Sequence, residues 1–173
     1  MSDAASIRSC VETIRSQGIR FNVLVNNAGV SLIPNYTEAP TGQELTCQTN
    51  YFGVVQLTES LIPLLEGDAR VIFVSSLTYN KGAPDTIDRT HLCIGQEAYD
   101  KWSPYFRSKY LVTSYAQYLA RRNPSLFVIA CDPGIAGTAI ARELGCIGKI
   151  FQWKICQCLF PTWKVAMGGE SEE

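Results

Sequence analysis

Tyr105 and Lys109 stand four residues apart in a stretch with helical spacing, so a phenol and an ammonium share one helix face. Such a pair can pass a proton to or from an oxygen on a bound molecule. By composition about 0.3 Tyr-x-x-x-Lys pairs would occur by chance, so the pair alone decides little. Three other clusters matter more in combination with it. Asn26-Asn27-Ala28-Gly29, Ser75-Ser76 and Asp132-Pro133-Gly134 each follow an apolar run of strand-forming residues. In open α/β sheets ligands bind at the carboxyl ends of strands. Small or polar residues at those ends let a ligand approach the backbone closely.

The elements that must position these groups can be read in chain order. Ala4, Ile7, Val11 and Ile14 recur at helical spacing, and Gly18 ends that run. Phe21 to Asn26 reads as a short strand. Thr41-Gly42-Gln43-Glu44 has capping-box spacing and predicts a helix from Thr41 to about Leu65. Arg70 to Ser75 is a second strand, apolar enough in its middle for both faces to be buried. From Leu77 to Ser103 the chain is polar and broken by Gly82, Pro84 and Gly95, which predicts an insertion of loops and short turns. Pro104 suits the first turn of a helix running through Leu119 to Arg122. A third strand covers Leu126 to Cys131. Strands alternating with long helices imply parallel β-α units in one α/β domain, with helices on both faces of the sheet.

The chain has 173 residues, 46% hydrophobic and 18% charged, with net charge −1. That is the profile of a globular domain, and it argues against nucleic acid as a partner, which needs a basic face. Seven cysteines (Cys10, Cys47, Cys93, Cys131, Cys146, Cys156 and Cys158) follow no framework spacing, and His91 is the only histidine. A zinc site needs clustered ligands and is rejected. The cysteines read as free thiols in a reducing compartment, which suggests a cytoplasmic protein. The N-terminal residues show no signal-peptide pattern, and no stretch approaches the ~20 apolar residues of a spanning helix.

Taken in order, these motifs resemble the short-chain dehydrogenase/reductase family. They are NNAG (Asn26 to Gly29), a mid-helix Asn in TNYFG (Asn50), VSS (Ser76), YFRSK (Tyr105 to Lys109) and PGIAGT (Pro133 to Thr138). The resemblance spans about residues 6–144, and the long insertion between Ser76 and Tyr105 points to the retinol-dehydrogenase-like or carbonyl-reductase-like branches. It implies a partial Rossmann-type, doubly wound parallel sheet, with residues 145–173 a variable substrate-loop and tail region. It also implies hydride transfer between NAD or NADP and a small alcohol or carbonyl substrate. Tyr105 would be the acid–base group, and Lys109 would favour its phenolate and bond the nicotinamide ribose. Ser76 would donate to the substrate oxygen, and Asn50 would hold a water that relays protons. Asn26, Ala28, Gly29, Lys109, Pro133, Gly134, Ile135 and Thr138 would face the cofactor.

Blander readings stand beside several of these. Asn50 could be a solvent-facing helix residue, Ser75 could replace Ser76, and Asn26 could be architectural. Pro133-Gly134 could be only a strand-to-loop corner, and His91 a surface loop residue. The aromatic-rich segment 146–163 could cover the substrate or lie on a membrane surface. Helices 41–65 and 104–122 correspond to those through which the family often dimerises.

No Gly-x-x-x-Gly-x-Gly occurs anywhere in the chain. Against the family pattern, Met1 matches an internal position, about three strands are missing before it, and the far end is short as well. The resemblance therefore implies a fragment or truncated isoform. Its first strand would be an open apolar edge, and alone it would be marginally folded and bind cofactor weakly.

Overall fold

The computed structural model describes residues 1–84 and 92–134. Among them, three apolar runs pair in parallel as β1 (Phe21–Asn26), β2 (Leu65–Val74) and β3 (Phe127–Cys131), in the order β1-β2-β3. Leu24 sits beside Val71 and Val71 beside Val128, so these three point to the same face. β2 starts earlier than expected, at Leu65 rather than Arg70, because Phe21 pairs with Leu65 across an irregularity in β1.

Helix α1 (Ala4–Ser16) starts where Asp3 accepts a hydrogen bond from Ala5 N at 2.8 Å. It ends at Gly18, whose φ of +64° is the left-handed conformation that closes a helix. The expected capping box at Thr41 does not form. Glu44 is itself the cap, its carboxylate accepting from Thr46 N and Cys47 N, both at 2.8 Å. Thr41 instead donates to Gln48 Oε1 at 2.7 Å. The helix therefore begins at Leu45, as α2 (Leu45–Cys47), and passes through a π-helical turn (Gln48–Phe52) into α3 (Gly53–Leu61). A 3-10 turn, Ile62–Leu64, carries the chain into β2. Helix α4 (Ser103–Arg122) has Pro104 in its first turn, and the Asp100 carboxylate caps Trp102 N and Ser103 N.

The described helices all lie on one face of the sheet, not on both. Right-handed crossovers that step the same way across a sheet place their helices on the same side. α3 and α4 make the two steps from β1 to β2 and from β2 to β3. On that face Ala69, Val71 and Phe73 are fully buried against Val54 of α3 and Val112, Tyr115, Ala116 and Leu119 of α4. Ile7 and Val11 of α1 pack on Leu61 beside them. On the other face Val23 and Val25 of β1 are 39% and 52% exposed, and Ile72 and Val74 of β2 are only partly buried where burial on both faces was expected.

Among its described residues, the insertion after Ser76 holds two short 3-10 turns, Tyr79–Gly82 and Gln96–Ala98. The cysteines are not all free thiols: Cys47 is disulfide-bonded to Cys93, with Cα atoms 6.1 Å apart, while Cys10 and Cys131 are free. The first of the two turns packs so tightly on α4 that a Cβ on Gly82 would meet Phe106 O at 2.0 Å. Gly82→Ala is expected to cost about 1–3 kcal/mol by overpacking. Gly67→Ala, where nothing lies within 4 Å, should stay within about 0.5 kcal/mol. Urea midpoints of the two variants check the contrast.

Candidate active site

Asn50 lies in the π-helical turn, a form of helix that often marks functional positions. It is 3% exposed, which rules out the solvent-facing alternative. Its amide clasps the backbone after β1: Oδ1 accepts from Val30 N and Nδ2 donates to Val30 O, both at 2.8 Å. Nδ2 also donates to Ser108 Oγ at 3.0 Å, and Ser108 Oγ donates to Tyr105 O at 2.8 Å. A side chain on Gly29 would crowd this clasp, since a Cβ there would stand 3.1 Å from Asn50 Oδ1. The loop beyond is held under strain: Leu32 is buried with φ +59°, a region disfavoured for a branched residue.

Lys109 is buried one turn along α4 from Tyr105, and Nζ donates to Val74 O at 2.7 Å. The ammonium therefore sits at the carboxyl end of β2, 5.6 Å from the centre of the Tyr105 ring. Burial lowers the Lys109 pKa to about 8, against the pull of Asp132 and Cys131, which favour its charge. Burial also raises the Tyr105 phenol. A hydrogen bond with the Ser76 hydroxyl lowers it, and Asp132 raises it further. Burial thus outweighs any depression of Tyr105 by Lys109, and the phenol stands above its ordinary value.

Ser76 and Ser75 part company at the strand end. Ser76 meets Tyr105 and Thr78 Oγ1, the latter at 2.9 Å. Ser75 Oγ lies 2.6 Å from Thr113 Oγ1, and Thr113 donates to Lys109 O at 2.8 Å. Ser76 therefore faces the site, and Ser75 ties β2 to α4.

Asn26 turns its side chain into the protein, donating to the buried Thr58 Oγ1 at 3.1 Å. Any role of the Asn26–Gly29 turn toward a cofactor falls to its backbone and to the small exposed Ala28. Pro133 and Gly134 end β3, with Gly134 at φ +71° and its N donating to Asp132 Oδ1 at 3.2 Å. Ile135, Thr138, His91 and segment 146–163 lie outside the described residues. The clasp by Ser108 and the Ser75–Thr113 tie were not foreseen. Only the Tyr-x-x-Ser-Lys spacing hinted at the first.

Residues 1–87 match the model of the short chain dehydrogenase family. The chain belongs to that family. Short-chain dehydrogenase/reductase pkfC of Emericella nidulans is 34% identical over 157 residues, 84% of this chain and 50% of that protein. Retinol dehydrogenase 14 of Mus musculus is 34% identical over 150 residues, 82% of this chain and 43% of that protein. The chain spans about half the length of these curated family relatives. Its fold matches a short chain dehydrogenase of Shigella flexneri 2A solved with NADP, at TM-score 0.60 and 22% identity, over 83% of this chain and 56% of that one.

Asn50→Ala should release Val30 and leave buried groups without partners, at a cost of about 1–3 kcal/mol. Amide exchange at Val30 should then quicken roughly five- to 150-fold. Unchanged protection at Val30 would mean that the loop is held elsewhere.

Proposed function

We propose that this chain carries the active centre of an oxidoreductase that interconverts alcohols with aldehydes or ketones, using NAD or NADP. The observation that supports this most is the meeting of Tyr105 and Ser76 beside the buried Lys109, at the carboxyl ends of β2 and β3. A nicotinamide cofactor supplies or accepts the hydride when bound. The residues present fit its nicotinamide end: Lys109 would hold the ribose, and the 26–29 turn and Pro133-Gly134 would flank it. Ile135 and Thr138 belong to the same proposed contact. No glycine-rich turn for the pyrophosphate occurs in these residues.

In carbonyl reduction Tyr105 gives its proton to the substrate oxygen, while Ser76 donates a hydrogen bond to that oxygen as charge develops on it. A phenol held high by burial keeps its proton through the neutral range, so it stands ready as an acid. Lys109 keeps positive charge beside it below pH about 8. Asn50 fixes Tyr105 through Ser108, and its helix would hold the relaying water. Exposed Leu77, Tyr79 and Trp102 flank Ser76 and Tyr105 in sequence, an apolar rim suited to a lipid-like or small carbonyl substrate. The names of the retinol and polyprenol dehydrogenase relatives favour the same class.

A second reading is a non-catalytic chain that pairs with a full-length partner. What favours it is β1, which pairs on one side only among the described residues and leaves Val25 exposed. Pairing of two copies through residues 41–65 and 104–122, a cytoplasmic location and membrane-surface contact through 146–163 are parts of the proposal. No described helix is long and apolar enough to cross a membrane.

Loss of NADPH fluorescence with an aliphatic or retinoid aldehyde tests the first reading. Tyr105→Phe should lower turnover at least ~100-fold while leaving the melting curve unchanged. Activity that survives in Tyr105→Phe, or appears only with an added full-length relative, would overturn it. The pH profile gives a second check. The Lys109 charge is present below about 8 and lost above it, so kcat/KM for reduction should fall as pH rises through that value. Lys109→Met should remove that limb.

A further inference from the structure

The Cys47–Cys93 bond joins two pieces of the site that no secondary structure connects. Cys47 is 1% exposed and lies three residues before Asn50. Cys93 is half-buried in the stretch 92–99, which leads toward Tyr105. At one end of that stretch Arg107 Nη1 donates to Leu92 O at 3.3 Å. At the other, Tyr99 donates to Ile33 O at 2.8 Å and packs edge-on against Tyr36, with ring centres 5.5 Å apart. Gly95 to Ala98 between them are exposed. Cys93 lies next to the Leu92 end, so one covalent bond adds to the fastening there.

The two ends of that bond are anchored very unequally. α2 is held independently by the Glu44 cap and, one turn on, by the Asn50 clasp. Among the described residues, the Cys93 side is held besides by the contacts at its two ends just named. Breaking the bond therefore leaves Asn50, Lys109 and Tyr105 in place and loosens the 92–99 stretch alone.

We propose that Cys47 and Cys93 form a reversible thiol–disulfide site that fastens residues 92–99 over the loop after β1 and so sets the substrate side of the active centre. The effect on substrate rests on the oxidoreductase reading above, but the bond and its mechanical effect do not. Cytosolic disulfides are mostly transient or redox-sensing, which suits a bond with one half-buried cysteine. In the reducing direction a thiolate of a dithiol or glutathione-class thiol attacks Cys93, the less buried of the two residues, and Cys47 leaves as a thiolate that takes up a proton. A second reductant thiolate then attacks the reductant sulfur of the mixed disulfide and releases Cys93 as a thiolate, which is protonated in turn. Two electrons enter the protein, and one reductant disulfide forms.

The test uses the full chain purified without reductant. Alkylation before digestion should leave a linked peptide pair containing Cys47 and Cys93, while the exposed Cys10 is modified. Dithiothreitol should speed cleavage by a glutamate-specific protease after the exposed Glu97 by about tenfold or more. Cys93→Ser should be cleaved at that faster rate with or without reductant, and Cys10→Ser should behave as wild type. If Cys93→Ser fails to fold, the wild-type comparison with and without dithiothreitol decides alone. With NADPH and aldehyde, reduction should raise KM several-fold and leave kcat within about twofold. Absence of turnover in every sample would sink the oxidoreductase reading and leave the peptide and cleavage results to judge the clamp. Alkylation of both Cys47 and Cys93 without reductant would overturn the proposal. So would cleavage after Glu97 that reduction does not change.

Discussion

The site depends on one buried amide. Asn50 makes three hydrogen bonds at once: two to the backbone of Val30 and one to Ser108. Those bonds join the loop after β1, the helix that follows it and α4, three parts of the chain that are far apart in sequence. Buried amide groups are costly when unpaired, so a side chain that satisfies several at once holds its partners in a single arrangement. Gly29 leaves the room for it, and the π-helical turn aims it.

With the helices fixed to the strand ends, the electrostatics follow from burial. Lys109 reaches the last carbonyl of β2 and loses most of its contact with water. The ammonium is then less favoured than in solution, and the Tyr105 phenolate is less favoured as well. A proton is thereby kept on the phenol, the state a carbonyl reduction consumes. Asp132, at the end of β3, opposes the Lys109 shift and adds to the Tyr105 shift, so the third strand also shapes the pair.

Much of this was legible in the chain because it is local. The strand at Phe21–Asn26 follows from a β-branched run, α4 from a proline start and helical spacing, and the Tyr105–Lys109 face from a spacing of four. Other features needed tertiary information. Glu66, Gly67 and Asp68 lie before the strand expected from Arg70, and they join β2 because Phe21 reaches Leu65. Thr41 had capping-box spacing, yet the Glu44 carboxylate satisfied the helix N–H groups by itself. Cys47 and Cys93 are 46 residues apart, and only the fold brings them together. Helices were expected on both faces, and the described ones share a face because two crossovers step in one direction.

The most direct measurement of the account is the titration of the lysine side-chain ammonium groups by heteronuclear NMR, with Lys109→Met to assign the signal. Lys109 should titrate at about 8, well below the ordinary lysine value of about 10.4. A Lys109 signal at the ordinary value would show an ammonium in water, and the buried centre on which Tyr105, Ser76 and Asn50 converge would not exist.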